Sequence, residues 1–143
     1  LLNCCIPLNF DTIRNTEHMG KTPKQILGRQ GETLACRYLQ EKGCQILVRN
    51  YRSGHSELDI VALQNRTVLV CEVKSYYAEP LGAAEFRVNK QKQKQIIQGT
   101  YAFLADYPEF EDMDIRFDVI IVDFSRYPAQ ITHHEGAFWQ ESF

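Results

Sequence analysis

The sequence predicts one α/β domain in which a mixed β-sheet is flanked by helices. A chain of 143 residues has the length of a single compact domain. Hydrophobic residues make up 44% of the chain and aromatic residues 11%, which suffices for one buried core. Helical and strand-like patterns alternate along the chain in the order α-β-β-β-α-β-β, and such mixing favours one sheet with helices packed against it.

Two segments have helical periodicity. The first is predicted at residues 23–42, because Thr22 is a good N-cap, Pro23 suits the first turn and Gly43 provides a C-terminal stop. The second begins after Asn89 and runs to about residue 105. Its predicted buried side consists of Ile96, Ile97, Tyr101 and Leu104. Residues 1–21 fit neither periodicity, and we expect a loosely attached lead-in followed by a single domain at 22–143.

Five segments have the composition of strands, and the second and third should form a hairpin. The strands are predicted at residues 44–51, 57–63, 67–75, 115–123 and 130–134. If Asn65 and Arg66 form a two-residue turn, the numbers of paired residues add up to 131. Asp59 then lies opposite Glu72, whereas a shift by one residue would send these two acids to opposite faces.

The third strand carries two charged residues inside an apolar run. Glu72 and Lys74 are two residues apart, so they share a face of the strand. In the register above, Lys74 faces Glu57 and Glu72 faces Asp59, with Cβ atoms about 4.5 to 5.5 Å apart. Two carboxylates at this distance repel each other unless a divalent cation is shared between them. The alternative is a Glu57–Lys74 ion pair with both other acids on a wet sheet face, and the pattern alone leaves it open.

The first helix carries a further acid at the margin of its buried stripe. Glu32 lies on the same line as Gly28, Ala35 and Leu39. We therefore expect Glu32 to point towards the acids of the sheet, as another ligand or as a residue that orients water. The alternative is a glutamate on the helix shoulder that reaches solvent.

The net charge excludes an obvious polyanion binder but conceals a local division. The chain has 16 basic and 18 acidic residues and a pI near 6.1. Residues 84–104 nevertheless carry a net charge of +3, and residues 105–118 carry −5. One local surface could therefore face phosphates, and a solvated helix face is the alternative.

The cysteines and histidines give no metal or disulfide pattern. An odd number of five cysteines without a C-x-x-C pair predicts reduced and mostly buried thiols. His133 and His134 are adjacent on a strand and point to opposite faces, which favours structural roles. Arg116 and Asp118 alternate on their strand and predict an ion pair within the sheet. No apolar run approaches the roughly 20 residues of a membrane span, and no signal peptide is recognised at residues 1–10, so we expect a cytoplasmic protein without membrane association.

A helix glutamate followed by an aspartate and by Glu-x-Lys on adjacent strands resembles the restriction-endonuclease-like, or PD-(D/E)xK, nucleases. The finer pattern resembles the bacterial YraN family, a distant relative of archaeal Holliday-junction resolvases, over residues 26–138. The matching motifs are Gly28-Arg29-x-Gly31-Glu32, Leu34-Ala35, Tyr38-Leu39, Gly43, Arg49-Asn50-Tyr51-Arg52, Glu57-Leu58-Asp59-Ile60-Val61-Ala62, Glu72-Val73-Lys74, Lys90-Gln91, Arg116-Phe117-Asp118-Val119 and Ala137-Phe138. The chain departs from the family pattern at Ser56, Cys71 and Gly136, none of which is a presumed ligand.

The resemblance implies a site. Asp59, Glu72 and the carbonyl of Val73 would hold Mg²⁺ or Mn²⁺, Lys74 would orient or deprotonate the attacking water, and Glu32 would complete the shell. The residues implied in support or in contact with backbone phosphates are Glu57, Lys90, Gln91, Lys94, Arg49 and Arg52.

These expectations define a leading function and two rivals. The leading function is a metal-dependent endonuclease that acts on structured or branched DNA, and a homodimer would be needed to cut two strands symmetrically. The first rival is a nucleic-acid binding module that keeps the nuclease fold without useful turnover. The second is a protein-interaction domain that uses the acidic segment at 105–118.

Overall fold

The computed structural model describes residues 20–78 and 87–139. Its elements are α1 (Pro23–Glu41), β1 (Gln45–Ser53), β2 (Ser56–Gln64), β3 (Thr67–Tyr76), α2 (Lys90–Asp106), a 3₁₀ turn (Pro108–Phe110), β4 (Asp114–Asp123) and β5 (Gln130–Phe138). The predicted α/β class and the predicted element order are confirmed. The predicted loop at Pro80 and Gly82, and nearly all of the predicted lead-in, lie outside the described residues.

Helix α1 begins where its capping sequence predicts. The Thr22 hydroxyl accepts a hydrogen bond from the backbone N–H of Gln25, and the Gln25 side chain accepts one from the N–H of Thr22. The helix ends one residue before the predicted end, and Gly43 follows with a φ of +86°. This positive φ suits glycine and turns the chain towards β1.

The five strands form one mixed sheet in the order β1-β2-β3-β4-β5. Only β3 and β4 pair in parallel, and the other neighbours pair in antiparallel fashion. A parallel pair needs a crossover connection, and α2 lies within the one that joins β3 to β4. This sheet between two helices is consistent with a restriction-endonuclease-like core.

The β2–β3 hairpin has the register that its short turn predicts. The ladder runs from Gln64 paired with Thr67 to Ile60 paired with Cys71, and Asn65 in the turn has a φ of +55°. Beyond Ile60 and Cys71 both strands continue without pairing to each other. We call this point, where β2 and β3 diverge, the fork.

Each sheet face is covered by one helix and has its own hydrophobic core. The core under α1 is built mainly from Ala35, Leu39, Ile60, Leu69, Cys71, Ile120 and Val122. The core under α2 is built mainly from Leu58, Val61, Val70, Ile96, Phe103, Phe117 and Val119. The sheet therefore separates two packed layers. The fork lies within the sheet, where the pairing of β2 with β3 ends, between these two layers.

Two details of the predicted elements are wrong. Strand β5 continues to Phe138, four residues beyond its predicted end. Tyr101 is 55% exposed, and Thr100 and Phe103 are buried in its place on α2. The orientation of the helix places Ile96, Thr100 and Phe103 against the sheet. Tyr101, which follows Thr100, therefore points away from the core. Among the residues that the structure describes, neither helix is long and apolar enough to cross a membrane.

Candidate metal centre at the fork

The fork brings Asp59 and Glu72 together. The Asp59 Oδ2 atom accepts a hydrogen bond of 2.8 Å from the backbone N–H of Val73. The Asp59 and Glu72 side chains lie within hydrogen-bonding reach of each other, and this interaction favours the charged form of Asp59. The Asp59 carboxylate thus occupies the space that opens where β2 leaves β3, and it holds the backbone on both sides of the fork.

An irregularity in the strands directs Asp59 into this space. Leu58 and Val61 both lie in the core under α2, although regular alternation would place them on opposite faces. At the same level of β1, between the pairs Arg49–Ile60 and Tyr51–Leu58, Asn50 has a φ of +52°. Asparagine is among the few residues other than glycine that adopt this conformation, which often occurs at functional sites.

Burial makes the charged forms of both acids unfavourable. The pKa of Glu72 is raised to about 7 by burial and by the nearby charge of Asp59, against the opposing influence of Lys92 and Lys74. The pKa of Asp59 is also raised, mainly by burial, although the bond from Val73 favours its charged form. Two desolvated carboxylates in contact create a strong demand for positive charge between them.

Glu32 points inwards from α1, as expected from its place on the helix. Its side chain is only 15% exposed. Asn50 donates a hydrogen bond of 3.1 Å from Nδ2 to Glu32 Oε2, and an Arg49 guanidinium nitrogen lies 3.9 Å from the same oxygen. Burial raises the pKa of Glu32, and the charge of Asp59 adds to this effect. Glu32 therefore lies within electrostatic reach of the fork.

A glycine lets α1 come this close to the sheet. Gly31 is buried, and a Cβ atom at this position would overlap the hydroxyl oxygen of Ser75 on β3. The next residue, Glu32, is thereby held against the sheet.

Lys92 is a residue of the site that the sequence reasoning missed. Its ammonium nitrogen lies 3.4 Å from Glu72 Oε2. The residues predicted from the same helix, Lys90, Gln91 and Lys94, are exposed at its start. The signal was available, because Lys92 precedes buried Ile96 by four residues and therefore lies on the inner line of α2.

The remaining predicted residues lie around the fork, in side-chain pairings that the sequence does not predict. Glu57 pairs with Arg52 of β1 at 3.1 Å, so the alternative Glu57–Lys74 ion pair is wrong. The hairpin register that predicts this pair ends at the fork, before it reaches either residue. Lys74 is half-buried and acts on the charge of Glu72. Arg49 also donates to the Thr33 hydroxyl at 3.3 Å, which ties β1 to α1 beside Glu32.

The donors at the fork fit a hard divalent cation with an open coordination shell. Carboxylate oxygens of Asp59 and Glu72 are ligands that Mg²⁺ and Mn²⁺ prefer, and the backbone of Val73, which directly follows Glu72, lies against Asp59. Within residues 20–78 and 87–139, no three His, Cys, Asp or Glu side chains group as a metal cluster. Mg²⁺ is commonly held by one or two carboxylates, with water and substrate phosphate as the other ligands.

A second polar cluster lies on the α1 side of β4 and β5. Asp118 is fully buried, and Arg116 donates two hydrogen bonds of 2.9 and 2.8 Å to its two oxygens. His133 Nε2 lies 2.8 Å from Asp118 Oδ2, and the N–H of Gly136 donates to Asp118 Oδ1 at 2.9 Å. Burial alone would raise the pKa of Asp118, but the bonds from His133, Arg116 and Gly136 outweigh it and lower the pKa to about 2.

This cluster accords with the structural roles expected for its residues. The predicted Arg116–Asp118 ion pair is present. His133 accompanies Tyr38 on the α1 side, with ring centroids 5.5 Å apart, whereas His134 lies on the α2 side beside Val119. The thiols of Cys36, Cys44 and Cys71 are free and buried, as predicted for these three.

The fold and the fork together define an α/β protein with a five-stranded mixed sheet, consistent with a restriction-endonuclease-like core, and with paired acids at its diverging hairpin. Residues 31–122 match the family described as Uncharacterised protein family UPF0102. The chain belongs to this family, which is the YraN family of the sequence resemblance. The matched residues include Glu32, Asp59, Glu72, Lys74 and Lys92.

Relatives described as UPF0102 proteins occur in several bacteria. A UPF0102 protein from Chlorobium chlorochromatii is 41% identical over 121 residues, which cover 80% of this chain and 92% of the relative. One from Prosthecochloris aestuarii is 39% identical over 122 residues, with 80% and 94% covered. One from Treponema pallidum strain Nichols is 37% identical over 117 residues, with 80% and 93% covered.

Proposed function

We propose that the protein is a metal-dependent endonuclease that hydrolyses phosphodiester bonds in structured or branched DNA. The observation that carries this proposal is the contact between two mostly buried carboxylates, Asp59 and Glu72, at the fork. A sheet gains no stability from such a pair, whereas a hard cation can use it. Its position at a diverging hairpin, with Glu32 on the adjacent helix, supports phosphodiester chemistry as the use.

Each residue at the fork has a role that follows from its surroundings. Asp59 and Glu72, with the carbonyl of Val73, would hold Mg²⁺ or Mn²⁺. When bound, the ion lowers the pKa of a bound water and stabilises charge on the attacked phosphate. Glu32 is kept in place by Asn50 and would orient water at the edge of the site.

The two lysines would divide the remaining work. Lys74 shares β3 with Glu72 and would orient or deprotonate the attacking water. Lys92 belongs to α2, and its ammonium group neutralises Glu72 at 3.4 Å. The same ammonium group lies at the edge of the fork, where it would contact the substrate phosphate.

The start of α2 would bind the DNA backbone. Lys90, Gln91 and Lys94 are exposed there, one helical turn or less from Lys92. Contacts of this kind position a strand without reading its sequence, which suits an enzyme that recognises structure.

One observation favours a nucleic-acid binding module as a second candidate. The Lys92–Glu72 ion pair supplies positive charge to the fork from the protein itself. A protein that retains this pair permanently would bind DNA through α2 without hydrolysing it.

Cleavage assays distinguish the two candidates. The purified chain is incubated with Mg²⁺ or Mn²⁺ and a four-way junction, a flap or a plain duplex. We expect the parent protein to cleave a branched substrate, and both Asp59→Asn and Lys74→Ala to lose at least about a hundredfold in rate while still binding DNA. The matched controls are Asp112→Asn and Lys24→Ala, at exposed positions remote in sequence from the fork.

The outcomes separate clearly. Binding without cleavage of any substrate by the parent would favour the binding module. Absence of DNA binding even at low salt, where phosphate contacts are strongest, would contradict both candidates.

A further inference from the structure

A cavity of about 480 Å³ lies on the α2 side of the sheet, beside the fork. Its lining includes Val119, the neighbour of Glu72 in the ladder between β3 and β4, and His134, the neighbour of Val119 in the ladder between β4 and β5. Adjacent strands lie about 4.8 Å apart, so the backbone of Val119 lies roughly 5 Å from that of Glu72 and the backbone of His134 roughly 10 Å. The cavity and Glu72 therefore share one face of the sheet.

A bulge in β5 shapes the far wall of this cavity. Val119 pairs with His134 and Phe117 pairs with Phe138, so three residues of β5 face a single residue of β4, Asp118. Gly136, in the middle of the bulge, has a φ of +58°. The bulge presents both His134 and Ala137 to the cavity.

The buried Asp118 cluster pins this bulge from the opposite face. Asp118 accepts hydrogen bonds from His133 just before the bulge and from the N–H of Gly136 within it. Arg116 fixes both oxygens of Asp118. A fully buried aspartate is a costly way to stabilise a sheet edge, and its bonds hold the segment of β5 that forms one wall of the cavity.

The cavity has the chemistry of a nucleobase site. Its floor is apolar, from Val88, Val119 and Phe138, and its rim carries Gln93, His134 and the exposed Arg87. Gln93 donates to the carbonyl of Val88 at 2.8 Å, which fixes the amide at the rim. A base has apolar faces and polar edges, and the cavity volume falls within the roughly 300 to 1,000 Å³ of small-ligand sites.

We propose that this cavity receives an unpaired base of the DNA strand that is cut, next to the attacked phosphate. The inference rests on the proposed function and specifies its substrate class as DNA with an unpaired nucleotide at a branch point. A base in a continuous duplex must be unstacked before it can enter a cavity, whereas an unpaired base enters at little cost. Arg87 at the rim would contact the phosphate of the inserted nucleotide.

The experiment uses flap DNA with 2-aminopurine as the unpaired base at the branch, and a blunt duplex in which the same base is paired. With Ca²⁺ replacing Mg²⁺, we expect the parent protein to change the 2-aminopurine fluorescence of the flap only. Ala137→Trp should fill the cavity, abolish that change and weaken flap binding about tenfold without affecting duplex binding. His134→Ala should weaken flap binding without adding bulk, and Gln40→Trp, on the exposed side of α1, should match the parent.

The variants must first show the thermal unfolding midpoint of the parent. The proposal is overturned if the parent gives no 2-aminopurine signal, if neither cavity variant weakens flap binding, or if flap and duplex binding fall equally. Cleavage is then measured in parallel samples with Mg²⁺. Cleavage without the fluorescence signal would contradict the base site and support the nuclease proposal. The fluorescence signal without cleavage would support the base site and contradict the nuclease proposal.

Discussion

At Asp59 and Glu72, the charged forms that the proposed chemistry requires are the forms that destabilise the fold. Both are mostly buried, they lie in contact, and the pKa of Glu72 is raised to about 7 by burial and by Asp59. A raised acid pKa means that the folded protein binds a proton more tightly than the unfolded chain does. The contribution of Glu72 to stability is therefore complete below pH 4.5 and is lost as the pH rises through about 7.

Glu72→Gln should make the metal-free protein more stable at pH 8. The substitution keeps the shape of the side chain and removes a charge that burial disfavours. Since one pKa unit corresponds to about 1.4 kcal/mol, we expect the free energy of unfolding to rise by roughly 1 to 3 kcal/mol, while DNA cleavage is lost. Urea unfolding in EDTA measures the first effect. Glu111→Gln, at an exposed acid, should change neither property, and a clear loss of stability in Glu72→Gln would contradict this account.

Asp118 has the opposite pH dependence. Its pKa is lowered to about 2, so the ionised side chain stabilises the fold above pH 4 and this contribution is lost as the pH falls towards 2. Asp118→Asn should lower the free energy of unfolding at pH 7 by about 3 kcal/mol, because it leaves Arg116 without its buried partner. Between pH 4 and 2, the free energy of unfolding of this variant should fall much less than that of the parent protein. Urea unfolding at several pH values measures this effect, with Asp112→Asn as the control. If Asp118→Asn loses as much stability between pH 4 and 2 as the parent does, Asp118 is not the group that causes the loss.

At the scale of elements, the position of Glu32 depends on how closely α1 packs against β3. The buried Ser75 hydroxyl lies where a side chain on Gly31 would have to go. Its oxygen has no hydrogen-bond partner within the described residues, so the contact is one of shape alone. An atom added at Gly31 must therefore displace the Ser75 side chain or push the helix, and Glu32 with it, away from the fork.

Gly31→Ala and Gly28→Ala form a matched pair in the same helix. A Cβ atom at Gly28 would meet nothing within 4 Å, so alanine there should stabilise the protein by about 0.5 to 1 kcal/mol through helix propensity. Alanine at Gly31 should destabilise it by about 1 to 3 kcal/mol through overpacking, and should also reduce cleavage. Thermal unfolding and cleavage rates measure both effects. Ser75→Ala added to Gly31→Ala should restore part of the stability, and equal effects of the two glycine substitutions would refute the close packing.

The hairpin shows how far the sequence determines the fold. Its register was predictable because a two-residue turn at Asn65 and Arg66 fixes every pair that follows. The fork was not predictable, since the divergence of β2 and β3 depends on the packing of whole layers. For the same reason the pattern paired Glu57 with Lys74, whereas the structure pairs Glu57 with Arg52.

The sequence of helix α2 does not by itself show which of its lysines reaches the fork. Lys90, Lys92 and Lys94 are chemically equivalent in the sequence, and only the rotation of the helix against the sheet selects Lys92 for Glu72. The buried residues Ile96, Thr100 and Phe103 define that rotation, whereas the apolar pattern predicts Tyr101 on the buried side, where the structure leaves it exposed.

At the scale of the whole molecule, the sheet separates two faces with different tasks. The α1 face holds the buried Asp118 cluster, and the α2 face holds Lys92, the cavity and the exposed lysines at the start of the helix. The chain has a net charge of −2, so under the proposed function attraction to DNA would come from this local surface rather than from the molecule as a whole.

Removing two exposed lysines should therefore reduce the salt dependence of DNA binding. The double substitution Lys90→Ala and Lys94→Ala should weaken binding to junction, flap and duplex by similar factors. It should also reduce the slope of log K against log salt by about 2, since each phosphate contact contributes roughly 0.9. Fluorescence anisotropy between low and moderate salt measures the slope. A slope equal to that of the parent would place the DNA on another surface, and Lys24→Ala serves as the control.

The central claim is that Asp59 and Glu72 together form a binding site for a divalent cation, and calorimetric titration of the metal-free protein with Mn²⁺ tests it most directly. The account predicts one site in the parent protein and in Glu111→Gln, and at least a tenfold weaker site in Asp59→Asn and in Glu72→Gln. Equal Mn²⁺ affinity in all four proteins, or no binding by the parent at millimolar Mn²⁺, would contradict it.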